Sequence, residues 1–231
     1  MNQDLPKAVL FDWDGTLINS GDILLQCWHT VTTQVLGAPF PVTESDRRKF
    51  LSMRGADSFP LLSDDPAVVA RLDSGFTDAY LELASLHVRP QPTSHNLLRT
   101  LRSQGIAVGL VTSKTRQRLN CDLDVCEMND LFDVIVTGDD VAAAKPDPEG
   151  VNAALSTLGA SPETSWMVGD GPVDVLAGRA GGLRTAGISH GLHTPEELIN
   201  AHPDILVADL WELALNWGLE LPQTSDNSEH H

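Results

Sequence analysis

Six short apolar runs punctuate the chain, at 8–11, 108–112, 134–137, 167–169, 185–188 and 205–207, and most of them stop at Gly, Asp, Thr or Ser. Runs of this length without polar alternation read as strands buried on both faces. Between most of them lie amphipathic stretches long enough for helices, such as 95–104 and 148–158. Strand alternating with helix predicts an α/β fold, a Rossmann-like parallel sheet with helices on both faces.

One interval breaks the rhythm. No convincing strand is visible between Leu17 and Val88, and the stretches 23–36 and 66–86 instead carry apolar residues at helical spacing. Leu24, Cys27, Trp28, Val31 and Val35 mark the first, and Val69, Leu72, Phe76, Tyr80 and Leu83 the second. The expected organisation is a catalytic core from 1–16 and 90–220, an inserted α-helical cap domain at 17–89, and a polar, disordered tail at 221–231. The closing Glu-His-His is compatible with a tag remnant.

Composition narrows the partners. A chain of 231 residues that is 42% hydrophobic can bury one large core, with or without an insert. It contains no apolar run of membrane-spanning length, and its first residues lack a signal peptide's basic head and apolar stretch. A cytoplasmic protein is therefore expected. Cys27, Cys121 and Cys126 have no zinc-ligand spacing and read as reduced thiols. The formal charge of −17, from 15 basic and 32 acidic residues, disfavours nucleic acid and anionic membrane as partners. The same field repels phosphorylated metabolites, so a phosphate site would need local positive charge from a metal, a basic side chain or backbone N–H groups.

Four segments place polar groups at strand ends. Asp12-Trp13-Asp14-Gly15-Thr16 follows the first run. Residues two apart in extended backbone share a side, so Asp12 and Asp14 read either as a metal and acid–base pair or as an acidic turn. Thr112-Ser113 ends the second run, offering phosphate ligands or a helix cap. Lys145 stands before Pro146 at a helix start, as a neutralising cation or a plain surface lysine. Gly169-Asp170 ends a fourth run, and Asp174 follows four residues on, with Pro172 in the first helical turn. Such hard oxygen donors favour magnesium over zinc or copper, though acids at a helix start also complement its dipole.

Taken in this order, the four segments resemble the haloacid dehalogenase-like hydrolase superfamily, and the helical insert is similar to that family's small cap. The resemblance runs from Lys7 to Leu215 and is strongest toward the phosphoglycolate phosphatase-like branch. It implies a Mg²⁺-dependent phosphatase acting on a small phosphorylated metabolite through an aspartyl-phosphate on Asp12. Asp14 would serve as general acid and base, while Thr112, Ser113 and Lys145 would hold the phosphoryl group. Asp12, Asp170 and the Asp14 carbonyl would bind the metal, with Asp174 orienting its waters or pairing with Lys145. Two like charges at about 4 Å repel by roughly 4 kcal/mol at an effective dielectric of ~20, which is why metal and lysine are needed.

Finer features bear on the substrate. Asp14 argues against a dehalogenase, and Thr16 leans away from sugar phosphomutases, which often carry Val there. Asn19 and Gly171 depart from the usual Asp and Ser of relatives. The stretch 51–58 resembles a specificity loop, so Arg54 is a candidate for gripping a substrate anion. 2-Phosphoglycolate is the leading expected substrate. The alternatives are pyrophosphate, a nucleotide, a sugar phosphate, a β-phosphoglucomutase-like reaction, or a non-catalytic metal- or partner-binding relative. The oligomeric state stays open between monomer and homodimer.

Overall fold

The structure, a computed structural model, describes residues 5–222. The chain runs β1 (Ala8–Phe11), β2 (Ile18–Asn19), α1 (Gly21–Leu36), α2 (Glu44–Leu51), α3 (Gly55–Ser58), α4 (Pro66–His87), β3 (Arg89–Pro90) and α5 (Ser94–Ser103). It continues through β4 (Ala107–Val111), α6 (Arg116–Val125), β5 (Val134–Val136), α7 (Glu149–Leu158), β6 (Ser165–Gly169) and α8 (Pro172–Ala180). The last elements are β7 (Arg184–Ile188), α9 (Pro195–Asn200), β8 (Ile205–Val207) and α10 (Leu210–Asn216).

Six strands form one sheet in the order β5-β4-β1-β6-β7-β8, with every neighbouring pair parallel. This is the α/β Rossmann-like core that the alternating pattern predicts. The period-2 geometry of a strand sorts β1 between two apolar layers. Val9 and Phe11 pack with Leu97, Leu98 and Leu101 of α5, whereas Leu10 packs with Val151, Ala154 and Leu155 of α7. Each such fully buried aliphatic side chain contributes about 1.5–3 kcal/mol relative to exposure. Truncating Leu10 to Ala would cost about 2–5 kcal/mol. Chain order reverses between β4 and β6 on either side of β1, which opens a crevice at the carboxyl ends of these strands.

Between β2 and β3 the chain makes the four helices α1–α4. Asp65 caps α4 through the Ala67 N–H, with Pro66 in its first turn, and Thr43 caps α2 through the Asp46 N–H. Helices α1 and α4 lie closely side by side, because a Cβ at Gly75 would sit 2.9 Å from Val31 Cγ2. Trp28 centres an aromatic knot, with ring centroids 5.6, 5.0 and 5.4 Å from Phe50, Phe59 and Phe76.

Two details differ from expectation. Ile18–Asn19 is a strand inside the interval read as strandless, pairing antiparallel with Arg89–Pro90 where the chain leaves and rejoins the core. Two residues opposite a proline are too few to show a period. The exposed Asn19 lies in that ribbon. The expected tail begins too early at 221, since Leu221 packs on the core and the Pro222 carbonyl accepts from Asn96 Nδ2 at 3.1 Å. The rest of that tail, with the final histidines, lies outside the described residues. Among the described residues no helix is long and apolar enough to cross a membrane.

Candidate active site

Asp12, Thr112 and Asp170 are each the first residue past a strand, β1, β4 and β6 respectively. Sheet hydrogen bonding carries on beyond two of these strands. The Asp12 N–H reaches the Val168 carbonyl at 2.9 Å, and the Thr112 N–H reaches the Val136 carbonyl at 3.0 Å. These side chains therefore start from a rigid edge.

Lys145 ties two acids together. Its Nζ donates to Asp12 Oδ1 at 2.6 Å, to Asp174 Oδ1 at 2.6 Å and to the Val111 carbonyl at 3.1 Å, which engages all three ammonium protons. Asp174 Oδ2 accepts the Gly171 N–H at 3.0 Å. Asp170 accepts from Thr16 Oγ1 at 2.9 Å and from the Leu192 N–H at 2.6 Å. The turn that delivers Thr16 needs glycine at 15, where φ is +82° and a Cβ would lie 2.4 Å from Asp170 Oδ2. At the unusual Gly171 a Cβ would come within 3.1 Å of His193 Cε1, so the missing side chain makes room for that ring.

Asp12, Asp170 and Asp174 are all buried, and one carboxylate oxygen from each lies within 4.8 Å of the others. Three carboxylates face one lysine. Burial pushes the Asp12 carboxyl well up from its ordinary range; Lys145 opposes this, and Asp174 and Asp170 add to it. Asp174 is raised mainly by burial as well. Burial disfavours the Lys145 charge, yet Asp12 and Asp174 outweigh it and hold its proton more tightly than usual. A compact set of hard oxygens with surplus negative charge fits a small divalent cation, and these three residues are the ones that could hold it.

A second network surrounds Asp14, and sequence reading missed it. Lys114 Nζ donates to Asp14 Oδ1 at 2.8 Å, to the Tyr80 hydroxyl at 2.6 Å and to Asp122 Oδ2 at 2.5 Å. Tyr80 donates to Asp122 at 3.0 Å, and Trp13 Nε1 does so at 2.9 Å. Burial, Asp14 and Asp122 push the Tyr80 phenol well above its ordinary value, so it remains a donor. Asp122 is completely buried. The available signals were slight: Lys114 is two residues past Thr112, and Tyr80 is the sole tyrosine of the chain.

Asp12, Asp14, Thr112, Ser113, Lys145, Asp170 and Asp174 all border one cavity, closed over by Trp28, Phe59 and Phe76 of the helical insert. Its free volume is about 50 Å³, room for only a few water-sized bodies. Outside it a wider groove of about 490 Å³ is bordered by Lys49, by Asp57 and by Arg48, which pairs with Glu197 at 3.0 Å.

Arg54 borders this outer groove and not the catalytic cavity. Its guanidinium pairs with Asp57 through Nε at 3.0 Å and Nη2 at 3.1 Å. The remaining protons go to the carbonyls of Gly138, Val141 and Ala142 at 3.0–3.2 Å. A fork with every donor engaged by protein has none left for a substrate anion.

The sheet order and the acidic edge define a class of α/β enzymes, and the comparisons give its family. The family model for haloacid dehalogenase-like hydrolases matches residues 9–188. The pyrophosphatase PpaX of Bacillus pumilus is 33% identical over 215 residues, covering 92% of this chain and 97% of that protein. Among solved structures, a hydrolase from Pseudomonas syringae superposes with a TM-score of 0.80 at 25% identity, covering 91% of this chain and 96% of that one. CbbY from Rhodobacter sphaeroides in complex with phosphate shares the fold, with a TM-score of 0.78 at 24% identity over 90% and 96% of the two chains. The chain belongs to the haloacid dehalogenase-like hydrolase family and is a hydrolase.

Proposed function

We propose that this hydrolase is a magnesium-dependent phosphatase that moves a phosphoryl group from a small phosphate ester or anhydride to Asp12, and then to water. The observation carrying this reading is the buried carboxylate of Asp12 on Lys145, with Asp170 and Asp174 grouped around it at the sheet's carboxyl edge. Asp12, Asp170 and Asp174 would hold magnesium, which when bound supplies the positive charge that lets an anionic carboxylate meet an anionic phosphoryl group.

The residues of the chain divide the remaining work. Lys145 holds Asp12 Oδ1, and no protein donor among the described residues engages Oδ2, which attacks phosphorus. The bond from phosphorus to the leaving oxygen breaks, and that oxygen takes a proton from Asp14. Lys114 holds Asp14 Oδ1, leaving the other oxygen to carry the proton. Water then attacks the phosphorylated Asp12, Asp14 takes back a proton, and phosphate leaves with the carboxylate regenerated. The Thr112 Oγ accepts from the Lys114 N–H at 3.1 Å, so its own proton is available to a phosphoryl oxygen.

The relatives' name makes pyrophosphate the first substrate to try, and 2-phosphoglycolate, the sequence-based expectation, the second. Phosphate release from both and from p-nitrophenyl phosphate, with and without Mg²⁺, tests the reading. Borohydride reduction of acid-quenched enzyme should convert phosphorylated Asp12 to homoserine. Turnover that continues in Asp12→Ala would overturn it.

A further inference from the structure

Among the cationic side chains around the catalytic cavity, Arg118 has no acidic partner. It sits in the first turns of α6, is 6% exposed and borders the same cavity as Asp12 and Asp14. Its Nε donates to Thr115 Oγ1 at 3.1 Å. Among the described residues, Nη1 and Nη2 have no protein acceptor, and no carboxylate lies within ion-pairing distance of the guanidinium. Neither nitrogen is sealed off, because the fully buried polar atoms without partners belong to Ser20, Arg47, His193 and Trp217.

The guanidinium is instead held by rings. Its central carbon lies 4.9 Å from the Phe76 centroid and 5.9 Å from that of Tyr80. Stacking on aromatic faces fixes the plane of an arginine while leaving the outer edge of its fork unbonded. The contrast with its neighbours is sharp. Lys145 and Lys114 have their protons engaged by carboxylates, and Arg116 reaches Asp140 and the Ile135 carbonyl. In a chain carrying 32 acidic residues, a buried cation left without any of them is costly unless a ligand completes it.

We propose that Arg118 is the subsite for the substrate's second anionic group, the one that is not transferred. This deepens the phosphatase reading and rests on it. The fork takes a carboxylate or a phosphate through two parallel hydrogen bonds. Asp12 and Arg118 border one cavity whose free volume is only about 50 Å³, lined also by Trp28, Phe59 and Phe76. The substrate class is therefore a small phosphate ester or anhydride whose leaving group bears its own carboxylate or phosphate a few atoms from the scissile bond. Specificity then comes from the core helix α6, and not from Arg54 in the insert.

The experiment compares wild type, Arg118→Met and Arg118→Lys on pyrophosphate, 2-phosphoglycolate and p-nitrophenyl phosphate. In Arg118→Met the ratio of kcat/KM for either two-anion substrate to that for p-nitrophenyl phosphate should fall by roughly 10- to 100-fold. Arg118→Lys keeps the charge without the fork, should fall between, and decides the matter if the Met variant does not fold. A larger loss on pyrophosphate marks phosphate as the second anion, and a larger loss on phosphoglycolate marks carboxylate. A ratio within about 3-fold of wild type overturns the subsite. An activity-free reading separates this from failure of the phosphatase assignment. Phosphonoacetate should raise the melting temperature of wild type more than methylphosphonate does, and the difference should vanish in Arg118→Met. Its persistence overturns the subsite even if no substrate is turned over, whereas its loss supports the subsite whatever becomes of the assignment.

Discussion

Lys114 Nζ donates to Asp14 Oδ1 across 2.8 Å, and the same nitrogen reaches the Tyr80 hydroxyl of the helical insert at 2.6 Å. The proposed acid–base carboxylate and the insert thus share one buried proton donor. If α4 moves away, Lys114 loses Tyr80, and Asp122 is left with Lys114 and Trp13 alone. This contact gives the insert a direct hold on the geometry of Asp14.

Lys114→Met should therefore be severely destabilising. It leaves the fully buried Asp122 without a cation, a change that typically costs about 3–5 kcal/mol, which urea denaturation would measure. Tyr80→Phe removes one hydroxyl and keeps the ion pair, so about 1–2 kcal/mol is expected. In steady-state kinetics Tyr80→Phe should lower kcat by more than it raises KM, because Asp14 acts in the chemical step. A pure KM effect would detach the network from Asp14.

Asp12→Asn should reduce turnover by at least about 10³-fold while the fold persists. The carboxylate sits beside two others, and its pKa is raised by burial and by Asp174 and Asp170. Neutralising it removes repulsion as well as a Lys145 contact. Its unfolding free energy from urea denaturation without divalent cation should accordingly lie within about 1 kcal/mol of wild type. A much less stable variant would mean that Asp12 is chiefly a structural partner of Lys145.

The acidic triad makes a prediction that needs no turnover. Saturating Mg²⁺ should stabilise wild type by mass action, by about 2.7 kcal/mol at 100 times the dissociation constant, and raise its melting temperature accordingly. Asp170→Asn should lose most of that rise, since it keeps an acceptor for Thr16 but lowers the charge of the donor set. Ca²⁺ should stabilise the protein while inhibiting it, because its looser, higher coordination tolerates the site without the geometry for transfer. Equal Mg²⁺ stabilisation of wild type and variant would remove Asp170 from the metal site.

The parallel sheet and the acids at its edge were legible for a common reason: both are written in local pattern. A short apolar run followed by Asp announces a buried strand and its functional end together, as at Phe11-Asp12 and Gly169-Asp170. The Lys114 network was not legible, because Trp13, Tyr80 and Asp122 come from three distant segments and meet only when α4 packs on α6. The contacts of Arg54 were hidden for a related reason. Its neighbourhood promised an anion site, but the carbonyls that engage it lie 84–88 residues further along. Arg118 was hidden among helix-surface arginines until the rings of Phe76 and Tyr80 covered it.

The two arginines now make opposite predictions. Arg54 belongs to the insert, and three of its protons go to core carbonyls at Gly138, Val141 and Ala142, so it acts as a latch between the two. Arg54→Ala strips a donor from each of these carbonyls and frees Asp57. A latch affects every substrate alike, because it sets how well the insert closes over Asp12 and touches no substrate itself. Its loss should lower kcat/KM on p-nitrophenyl phosphate, pyrophosphate and phosphoglycolate by one common factor of roughly 3- to 30-fold. Limited proteolysis between α1 and α4 should speed up in the same variant, as a less firmly held insert exposes its connecting segments. Arg118→Met should instead change the ratio among substrates. If Arg54→Ala spares p-nitrophenyl phosphate and damages only the two-anion substrates, the latch is wrong, and Arg54 must turn inward to the substrate when the site is occupied.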